Sequence, residues 1–251
     1  MDVLGIDIGG SAIKSARVNV REGKIVSEVF QFPTPRPATP EQFLEAFDCI
    51  LKHFNSSKVL GIGFPGVVQH NTIYTAPNLD AGWQGLNLGA YLNKHFGVSA
   101  TILNDADAAG LAEMTWGAGK GYQEPTLVLT LGTGIGSAFF NRGLLCPNFE
   151  LGHLEMHGHE AEALASAHTK VAEKLSWEAW AQRLDAYLVY VHSLLWPQRF
   201  ILGGGISTNA SYFLPLLSLK NKIYIANLLN TAGFMGAALA ANNNVSFSAA
   251  I

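Results

Sequence analysis

The sequence predicts an α/β fold built from two related lobes. Short apolar runs rich in valine and isoleucine recur along the chain, each closed by glycine, as expected of buried strands. Helical patterns separate these runs, and strands that alternate with helices are typical of the α/β class. Residues 6–16 (IDIGGSAIKSA) echo residues 129–138 (LTLGTGIGSA), which indicates that one strand–turn–strand unit occurs twice.

The predicted strands and two of the predicted helices have clear limits. The segment TPEQ, beginning at Thr39, is a capping box with proline at the first helical position and opens a helix to about Phe54. A second helix begins at Ser176, and Pro197 stops it. The apolar runs predicted to be strands are residues 3–8, 59–64, 127–131 and 199–202.

The composition is that of a folded protein with a large core. The 251 residues are 49% hydrophobic and 14% charged, and no apolar run approaches the length that spans a bilayer. The net charge of −3 gives no general attraction for polyanions, so nucleic-acid binding is not expected and a phosphate-rich ligand needs a local patch. Two cysteines are too few for a disulfide framework and fit a reducing, cytoplasmic setting. Because no apolar run is long enough to span a bilayer, we expect no membrane partner.

Three glycine-rich turns that follow predicted strands are candidate phosphate sites. A glycine turn lets backbone N–H groups approach phosphate oxygens without a Cβ in the way. The first two turns each contain a hydroxyl, Ser11 or Thr133, and the third is Gly203-Gly204-Gly205. Neither a Walker A loop nor a GxGxxG fingerprint occurs, which argues against P-loop and Rossmann proteins. Any one turn could be a plain β-turn, but three at strand ends favour phosphate binding.

Several charged residues lie beside these turns. Asp7 lies within the first apolar strand, where an unpaired carboxylate is costly to bury, so it should face a ligand or a metal. Lys14 supplies a positive charge beyond the turn, or is a solvated strand lysine. Asp105 opens the helical pattern DADAAGLAEM, so it is either a helix N-cap or a base that accepts a proton from a sugar hydroxyl. Asp107 is interpreted as a first-turn helix acid.

The segment from Glu150 to Glu162 (ELGHLEMHGHEAE) is dense in metal-binding groups. His153, His157 and His159 could bind zinc, but no cysteine joins them, and we do not expect a zinc site. The vicinal hydroxyls of a sugar need the same mixture of donors and acceptors. A sugar site is therefore the preferred interpretation of this segment.

The loop NLDAGWQG has two open interpretations. Trp83, with Asn78 and Asp80, could contact a sugar. Alternatively, Trp83 is an aromatic anchor that holds the loop on the core.

Taken together, these motifs resemble the ROK family of sugar kinases, and within it the polyphosphate glucokinase branch. DIGGSAIK is similar to the family's first phosphate hairpin, GIGFPGVV and APNLDAGW to its sugar loops, and LNDADAAGLAE to its catalytic aspartate and helix. LTLGTGIGSA is similar to the second phosphate hairpin, ELGHLE to the sugar-binding segment, FILGGGIS to the nucleotide-side glycines, and NTAGFMGAALAA to the closing helix. The helix SWEAWAQRLDAYL and the lack of a cysteine-rich zinc motif fit the polyphosphate branch.

The resemblance implies an actin-like (ribonuclease H-like) two-lobed sugar kinase fold with the active site in the interlobe cleft. It implies a polyphosphate glucokinase in which Asp105 takes the proton of the glucose 6-hydroxyl and Asp7 orients Mg²⁺ through water. The residues that would bind glucose are Asn78, Asn104, Asp105, Glu150, His153 and Glu162. The residues that would bind the donor phosphates are Gly9, Gly10, Ser11, Lys14, Thr133, Gly134 and Gly204.

The resemblance also implies the lobes and leaves two alternatives for the function. The N-terminal lobe would be residues 1–104 with 234–251, and the C-terminal lobe residues 105–233. An ATP-dependent glucokinase or hexokinase of the same family would differ in the donor, whereas a non-catalytic sugar-binding module would lack turnover. Lys120 is the candidate cation of a polyanion channel, and the family resemblance suggests a homodimer.

Overall fold

The computed structural model describes residues 1–55, 58–77 and 79–242. Within this part of the chain, no helix is both long enough and apolar enough to cross a membrane. The chain forms two units, one of Met1–Ala112 with the C-terminal segment from Thr231, and one of Glu113–Asn230. The predicted lobe limits after residues 104 and 233 stay a prediction, and residues 243–251 lie outside the described part.

The first unit is built on a six-stranded sheet in which a hairpin is extended by two parallel strands. Its strands are β1 (Asp2–Ile8), β2 (Ala12–Asn19), β3 (Lys24–Ile25), β4 (Phe30–Pro33), β5 (Val59–Phe64) and β8 (Ser99–Asn104), and a separate small hairpin consists of β6 (Val68–Gln69) and β7 (Thr72–Ile73). The order is β3-β2-β1-β5-β8, with β4 also paired to β2. Because β1 pairs antiparallel with β2 and β5 and β8 follow in parallel, β1, β5 and β8 end at one edge.

Three helices of the first unit each begin after a side chain that caps them, and the sequence predicted the first of these caps. They are α1 (Pro40–His53), α2 (Leu88–Phe96) and α3 (Asp105–Trp116), and α3 continues past Ala112 into the second unit. Thr39 Oγ1 accepts a hydrogen bond from Gln42 N and Pro40 is the first residue of α1, as the capping box predicted. The apolar face of α1 packs into the core through Phe43, Phe47 and Ile50.

The second unit repeats the arrangement of the first. Its strands are β9 (Thr126–Leu131), β10 (Ile135–Asn141), β11 (Leu144–Cys146), β12 (Glu155–Met156), β13 (His159–Glu160), β14 (Arg199–Gly203) and β15 (Ile223–Ile225). The main sheet has the order β11-β10-β9-β14-β15, with β9 antiparallel to β10 and parallel to β14. The hairpins β1–β2 and β9–β10 therefore hold the same place in their sheets, which confirms the echo in the sequence.

The helices of the second unit cover its sheet. They are α4 (Ala161–Ala165), α5 (Ala167–Ala172), α6 (Trp177–Leu195) and α7 (Ala210–Phe213). Ser176 caps α6 by accepting from Ala179 N at 3.2 Å, and the helix ends where Trp196 adopts a left-handed conformation before Pro197. Both predicted ends of this helix are confirmed.

The last helix, α8 (Ala232–Asn242), returns to the first unit and is buried on every side from Ala232 to Ala241. A helix without a polar face must be enclosed by other elements. The helix lies very close to the sheet because two strands have glycine where it crosses. A Cβ at Gly5 would lie 1.8 Å from Phe234 O, and one at Gly61 would lie 1.8 Å from Ala237 O.

Candidate functional site

The first glycine turn connects β1 to β2 and presents open backbone. Gly9 N donates to Ala12 O at 3.1 Å, which closes the turn, while Gly10 and Ser11 are exposed. Apart from Gly10 and its two chain neighbours, no heavy atom of the described residues lies within 4 Å of the place where a Cβ of Gly10 would stand. The main chain of this turn is therefore open at Gly10, and phosphate binding there stays a prediction.

The proline-rich loop after β4 packs on this turn, which the sequence did not reveal. Thr34 Oγ1 donates to Gly9 O at 2.6 Å, and Thr34 N donates to Ser11 O at 3.1 Å. Arg36 Nη2 donates to Gly10 O at 2.8 Å. The prolines indicated only a stiff surface loop, because the pairing of β4 with β2 that brings the loop here is not visible in the local pattern.

Asp7 and Lys14 are direct neighbours across β1 and β2. Burial raises the pKa of Asp7 to about 6, and the positive charge of Lys14 opposes that rise. Gly233, at the start of α8, leaves room for the carboxylate, since a Cβ there would lie 2.6 Å from Asp7 Cγ. Asp7 is thus a confined carboxylate at the base of the first turn.

Asn104 and Asp105 lie where β8 passes into α3. Asn104 Oδ1 accepts from Asp107 N at 3.0 Å, and its Nδ2 donates to Gly66 O at 3.1 Å. Asn104 therefore caps the helix, and Asp105, its first residue, accepts from Ala106 N at 2.8 Å. The capping role considered for Asp105 belongs to its neighbour.

Asp7 and Asp105 lie on either side of Gly63 in β5. A Cβ at Gly63 would lie 3.5 Å from Asp7 Oδ1 and 3.4 Å from Asp105 Cα. Both acids are therefore at the edge where the parallel strands β1, β5 and β8 end, which is the edge where open α/β sheets collect ligands.

In the second unit, the predicted sugar residues Glu150, His153 and Glu162 lie close to one another. His153 Nε2 lies 3.8 Å from Glu150 Oε2, and Glu162 Oε2 accepts from Ile135 N at 3.1 Å. Burial raises the pKa of Glu150; His153 opposes the rise and Glu162 adds to it. A Cβ at Gly134 would lie 2.2 Å from Glu162 Oε2, so Glu162 joins this segment to the second glycine turn.

The second and third glycine turns lie at one edge of the second sheet. Thr133 is exposed, and Gly132 N closes its turn on Gly134 O at 3.0 Å. Gly204 has a φ of 84°, and a Cβ there would lie 2.2 Å from Leu131 O. Only glycine permits this conformation and this contact, so the third cluster is held against the end of β9.

Three residues that could share a metal ion also occur in the second unit. Ligand atoms of His153, Glu160 and Glu162 lie within 4.8 Å of one another, and His153 Nδ1 is 3.3 Å from Glu160 Oε2. This trio differs from the histidines considered in the sequence, since His157 and His159 are not in it. Its members include two of the predicted sugar residues, and the expectation that there is no zinc site stays a prediction.

The loop around Trp83 is a structural anchor. Trp83 is fully buried, its Nε1 donates to Ala38 O at 2.7 Å, and its ring packs on Phe43 and Phe64. Asp80 Oδ1 accepts from Gly82 N at 2.8 Å within the same loop. Asn78, the predicted glucose ligand, lies outside the described residues.

Lys120 lies at the opposite edge of the second sheet from the second and third glycine turns. Its loop is held at the start of β14, where Arg199 Nη1 donates to Ala118 O at 2.8 Å. The third glycine cluster follows the other end of this strand, about 13 Å away at 3.3 Å per residue. The role of Lys120 in a channel for a long polyanion stays a prediction.

Comparison with known proteins agrees with this arrangement. The ROK family model matches residues 3–164. The chain is 42% identical over 240 residues to polyphosphate glucokinase of Mycobacterium tuberculosis strain H37Rv, covering 94% of this chain and 89% of the relative. The chain belongs to the ROK family.

Solved ROK structures share the fold. The inorganic polyphosphate/ATP-glucomannokinase of Arthrobacter sp. strain KM has a TM-score of 0.92 and 43% identity, covering 97% of this chain and 99% of that one. The ROK family glucokinase of Streptomyces griseus has a TM-score of 0.82 at 24% identity, covering 97% of this chain and 100% of that one. The predicted actin-like sugar kinase fold is confirmed for this ROK protein.

Proposed function

We propose that the protein is a polyphosphate glucokinase, which transfers the terminal phosphoryl group of inorganic polyphosphate to the 6-hydroxyl of glucose. The observation that carries the proposal is the 42% identity to a polyphosphate glucokinase over 94% of the chain. The similarity to a polyphosphate/ATP-glucomannokinase supports the same donor and makes ATP the second candidate.

Asp105 is the proposed general base. It takes the proton of the glucose 6-hydroxyl, the hydroxyl oxygen attacks the terminal phosphorus, and the bond to the bridging oxygen breaks to leave a polyphosphate shorter by one unit. The support is its position at the ligand-binding edge of the first sheet, with Asn104 serving as the helix cap.

The proposed glucose ligands combine amide and carboxylate groups. Carboxylates accept hydrogen bonds from sugar hydroxyls, and amides and histidine both donate and accept. The close grouping of three of them in the second unit supports the assignment. The full set is Asn78, Asn104, Asp105, Glu150, His153 and Glu162.

The proposed donor site consists of the glycine turns and their flanking residues. The open main chain at Gly10 and the exposed Thr133 support it. Backbone N–H groups in such turns bind phosphate oxygens without sequence-specific side chains, which suits a polymer of identical phosphates. The set is Gly9, Gly10, Ser11, Lys14, Thr133, Gly134 and Gly204.

Asp7 is the proposed partner of Mg²⁺, through water. A confined carboxylate with a raised pKa fits a nearby cation, because the cation offsets the cost of its buried charge. When bound, Mg²⁺ neutralises charge on the transferring phosphoryl group. Asp7 would orient the hydrated ion beside the first turn.

We also propose a cytoplasmic homodimer. The free, half-buried Cys49 and Cys146 suit a reducing compartment. The exposed apolar side chains of Val189, Tyr190 and Leu194 on α6 support self-association.

The decisive experiment measures glucose-6-phosphate formation by the purified protein with Mg²⁺ and either polyphosphate or ATP as sole donor. Turnover with polyphosphate alone, or far above that with ATP, supports the proposal. Turnover with ATP alone would make the protein an ATP-dependent glucokinase. Glucose binding without turnover from either donor would indicate a sugar-binding module.

The same assay tests the base. Asp105→Asn should lower kcat by about 10²–10⁴-fold with little change in the glucose KM, because the base acts mainly in the transition state. Asp48→Asn, which removes an exposed carboxylate from α1, is the control and should leave both constants unchanged. A near-normal rate in Asp105→Asn would rule out Asp105 as the base.

A further inference from the structure

A guanidinium group lies at the rim of the first phosphate turn. Arg36 is exposed, and its Nη2 donates to Gly10 O at 2.8 Å. A guanidinium is a permanent cation with five N–H donors in a planar fork, so a single bond to a carbonyl leaves other donors for an anion. The turn thus combines open backbone with a cation beside it.

The position of Arg36 does not depend on that one bond. β4 pairs with β2, and Thr34, which follows β4, is buried and makes two further hydrogen bonds to the turn, through its side chain to Gly9 O and through its main chain to Ser11 O. The loop that carries Arg36 is therefore fixed on the turn from its first residues. A cation held in place loses less freedom on binding a ligand than a mobile one.

The charge balance of the chain makes the position of Arg36 important. The net charge is −3, so a polyanion must be bound by local positive groups. Lys14 lies opposite Asp7, which partly neutralises it, and Lys120 lies at the far edge of the other sheet. Arg36 is an exposed cation bonded directly to the turn, at Gly10 O.

We propose that Arg36 binds donor phosphate at the first turn and favours polyphosphate over ATP. Arginine binds phosphate oxygens through two parallel N–H groups. A polyphosphate chain continues as anions past the transferred group, whereas ATP continues as a ribose and a base, so a rim cation contributes more to the polymer. This inference rests on the proposed function, since it assumes that the turn holds the donor.

The test compares three substitutions of Arg36. Arg36→Gln removes the charge but keeps a donor for Gly10 O, so it separates phosphate binding from support of the turn. We expect it to raise the polyphosphate KM about tenfold, the equivalent of one lost charge-assisted contact, and the ATP KM about threefold or less. The glucose KM and the saturated kcat should change less than about twofold. Arg36→Lys should recover part of the loss, and Arg36→Ala should match or exceed the effect of Arg36→Gln.

The matched control is Arg21→Gln. Arg21 is an exposed arginine of the same unit that follows the opposite end of β2 from the phosphate turn. Arg21→Gln changes the net charge by the same amount as Arg36→Gln, so its effect on the polyphosphate KM is the effect of overall charge alone. An equal rise in the polyphosphate KM for both variants, or no rise for Arg36→Gln, would overturn the proposal. Equal rises for polyphosphate and ATP would overturn the role in donor preference.

A binding measurement keeps this test separate from the test of the function. Calorimetric titration with polyphosphate of one defined length, at several salt concentrations, gives the number of cations in contact with the polymer. Arg36→Gln should lower the slope of log affinity against log salt by about 0.7–1, and Arg21→Gln should not change it. If the wild type makes glucose-6-phosphate from ATP only, the donor assignment fails, and this slope still decides whether Arg36 contacts polyphosphate. An unchanged slope in Arg36→Gln, or no binding of polyphosphate by the wild type, overturns the proposal that Arg36 contacts polyphosphate.

Discussion

At the scale of single residues, the buried carboxylate of Asp7 lowers the free energy of unfolding. Burial raises its pKa from 3.8 to about 6, with Lys14 opposing the rise. Between those two pH values the folded state keeps a proton that the unfolded state has released. The free energy of unfolding therefore falls as the pH rises through this window, and the full cost is present above about pH 6.

We predict that Asp7→Asn stabilises the protein at pH 8 by up to about 2–3 kcal/mol, since each pKa unit corresponds to about 1.4 kcal/mol. At pH 4 the carboxyl is protonated in the folded state, and the gain should be small. Urea unfolding at both pH values without divalent cations measures this. Asp2→Asn, an exposed acid on the same strand, is the control, and a loss of stability at pH 8 in Asp7→Asn would contradict the prediction.

Residue identities could be predicted from the sequence where the pattern is local. Asp7, Asp105 and the glycine turns stand at strand ends that the apolar runs mark. Glu113 could not be predicted. In the sequence it is an ordinary helix acid, yet it is buried and accepts from Ala118 N, Asn227 N and Leu228 N. Two of these donors are more than a hundred positions away, so no local pattern contains them.

At the scale of elements, the close contact of α8 with β1 and β5 depends on the glycines in the strands. We predict that Gly61→Ala lowers the free energy of unfolding by about 2–3 kcal/mol, because the added Cβ would meet the main chain of α8 at Ala237. Urea unfolding measures the change. Gly10→Ala is the control, since open space surrounds that position, and its stability should change by less than about 1 kcal/mol. An equal loss in both variants would contradict this account.

The ends of the helices could be predicted because they depend on residues close in the sequence, whereas the contacts of α8 with the strands depend on residues far apart. Capping residues act on neighbours three or four positions away, so the start of α1 and both ends of α6 follow from the sequence. Gly61 was interpreted only as part of a strand closed by glycine. Its partner Ala237 is far along the chain, and the need for a missing side chain appears only when helix and strand are packed.

At the scale of the whole molecule, both sheets contain the same hairpin followed by parallel strands, and the echo between residues 6–16 and 129–138 predicts the repeated hairpin. The assignment of the site needed the fold as well. Charge alone makes Lys120 a candidate cation, and the strand direction in the second unit places its loop at the opposite edge of the sheet from the glycine turns. Arg36 lies in a proline-rich loop with no local signal of a binding role, and strand pairing brings it to the first glycine turn.

The last prediction concerns self-association. The exposed side chains Val189, Tyr190, Leu194 and Trp196 lie on or directly after α6, and residues 186–198 contain no Asp, Glu, Lys or Arg. A helix segment without charged side chains adds no repulsion of its own when it faces its copy across a two-fold axis, and the burial of its apolar side chains stabilises the contact.

We predict that light scattering with size-exclusion chromatography gives twice the chain mass of 26.9 kDa for the wild type at micromolar concentration. Leu194→Glu should place two like charges near the symmetry axis and raise the dissociation constant at least about 100-fold, which would yield the monomer mass. Val171→Glu, at an exposed position on α5, is the control and should leave the dimer intact. A monomeric wild type, or a Leu194→Glu variant that stays dimeric, would show that this face of α6 does not join two copies.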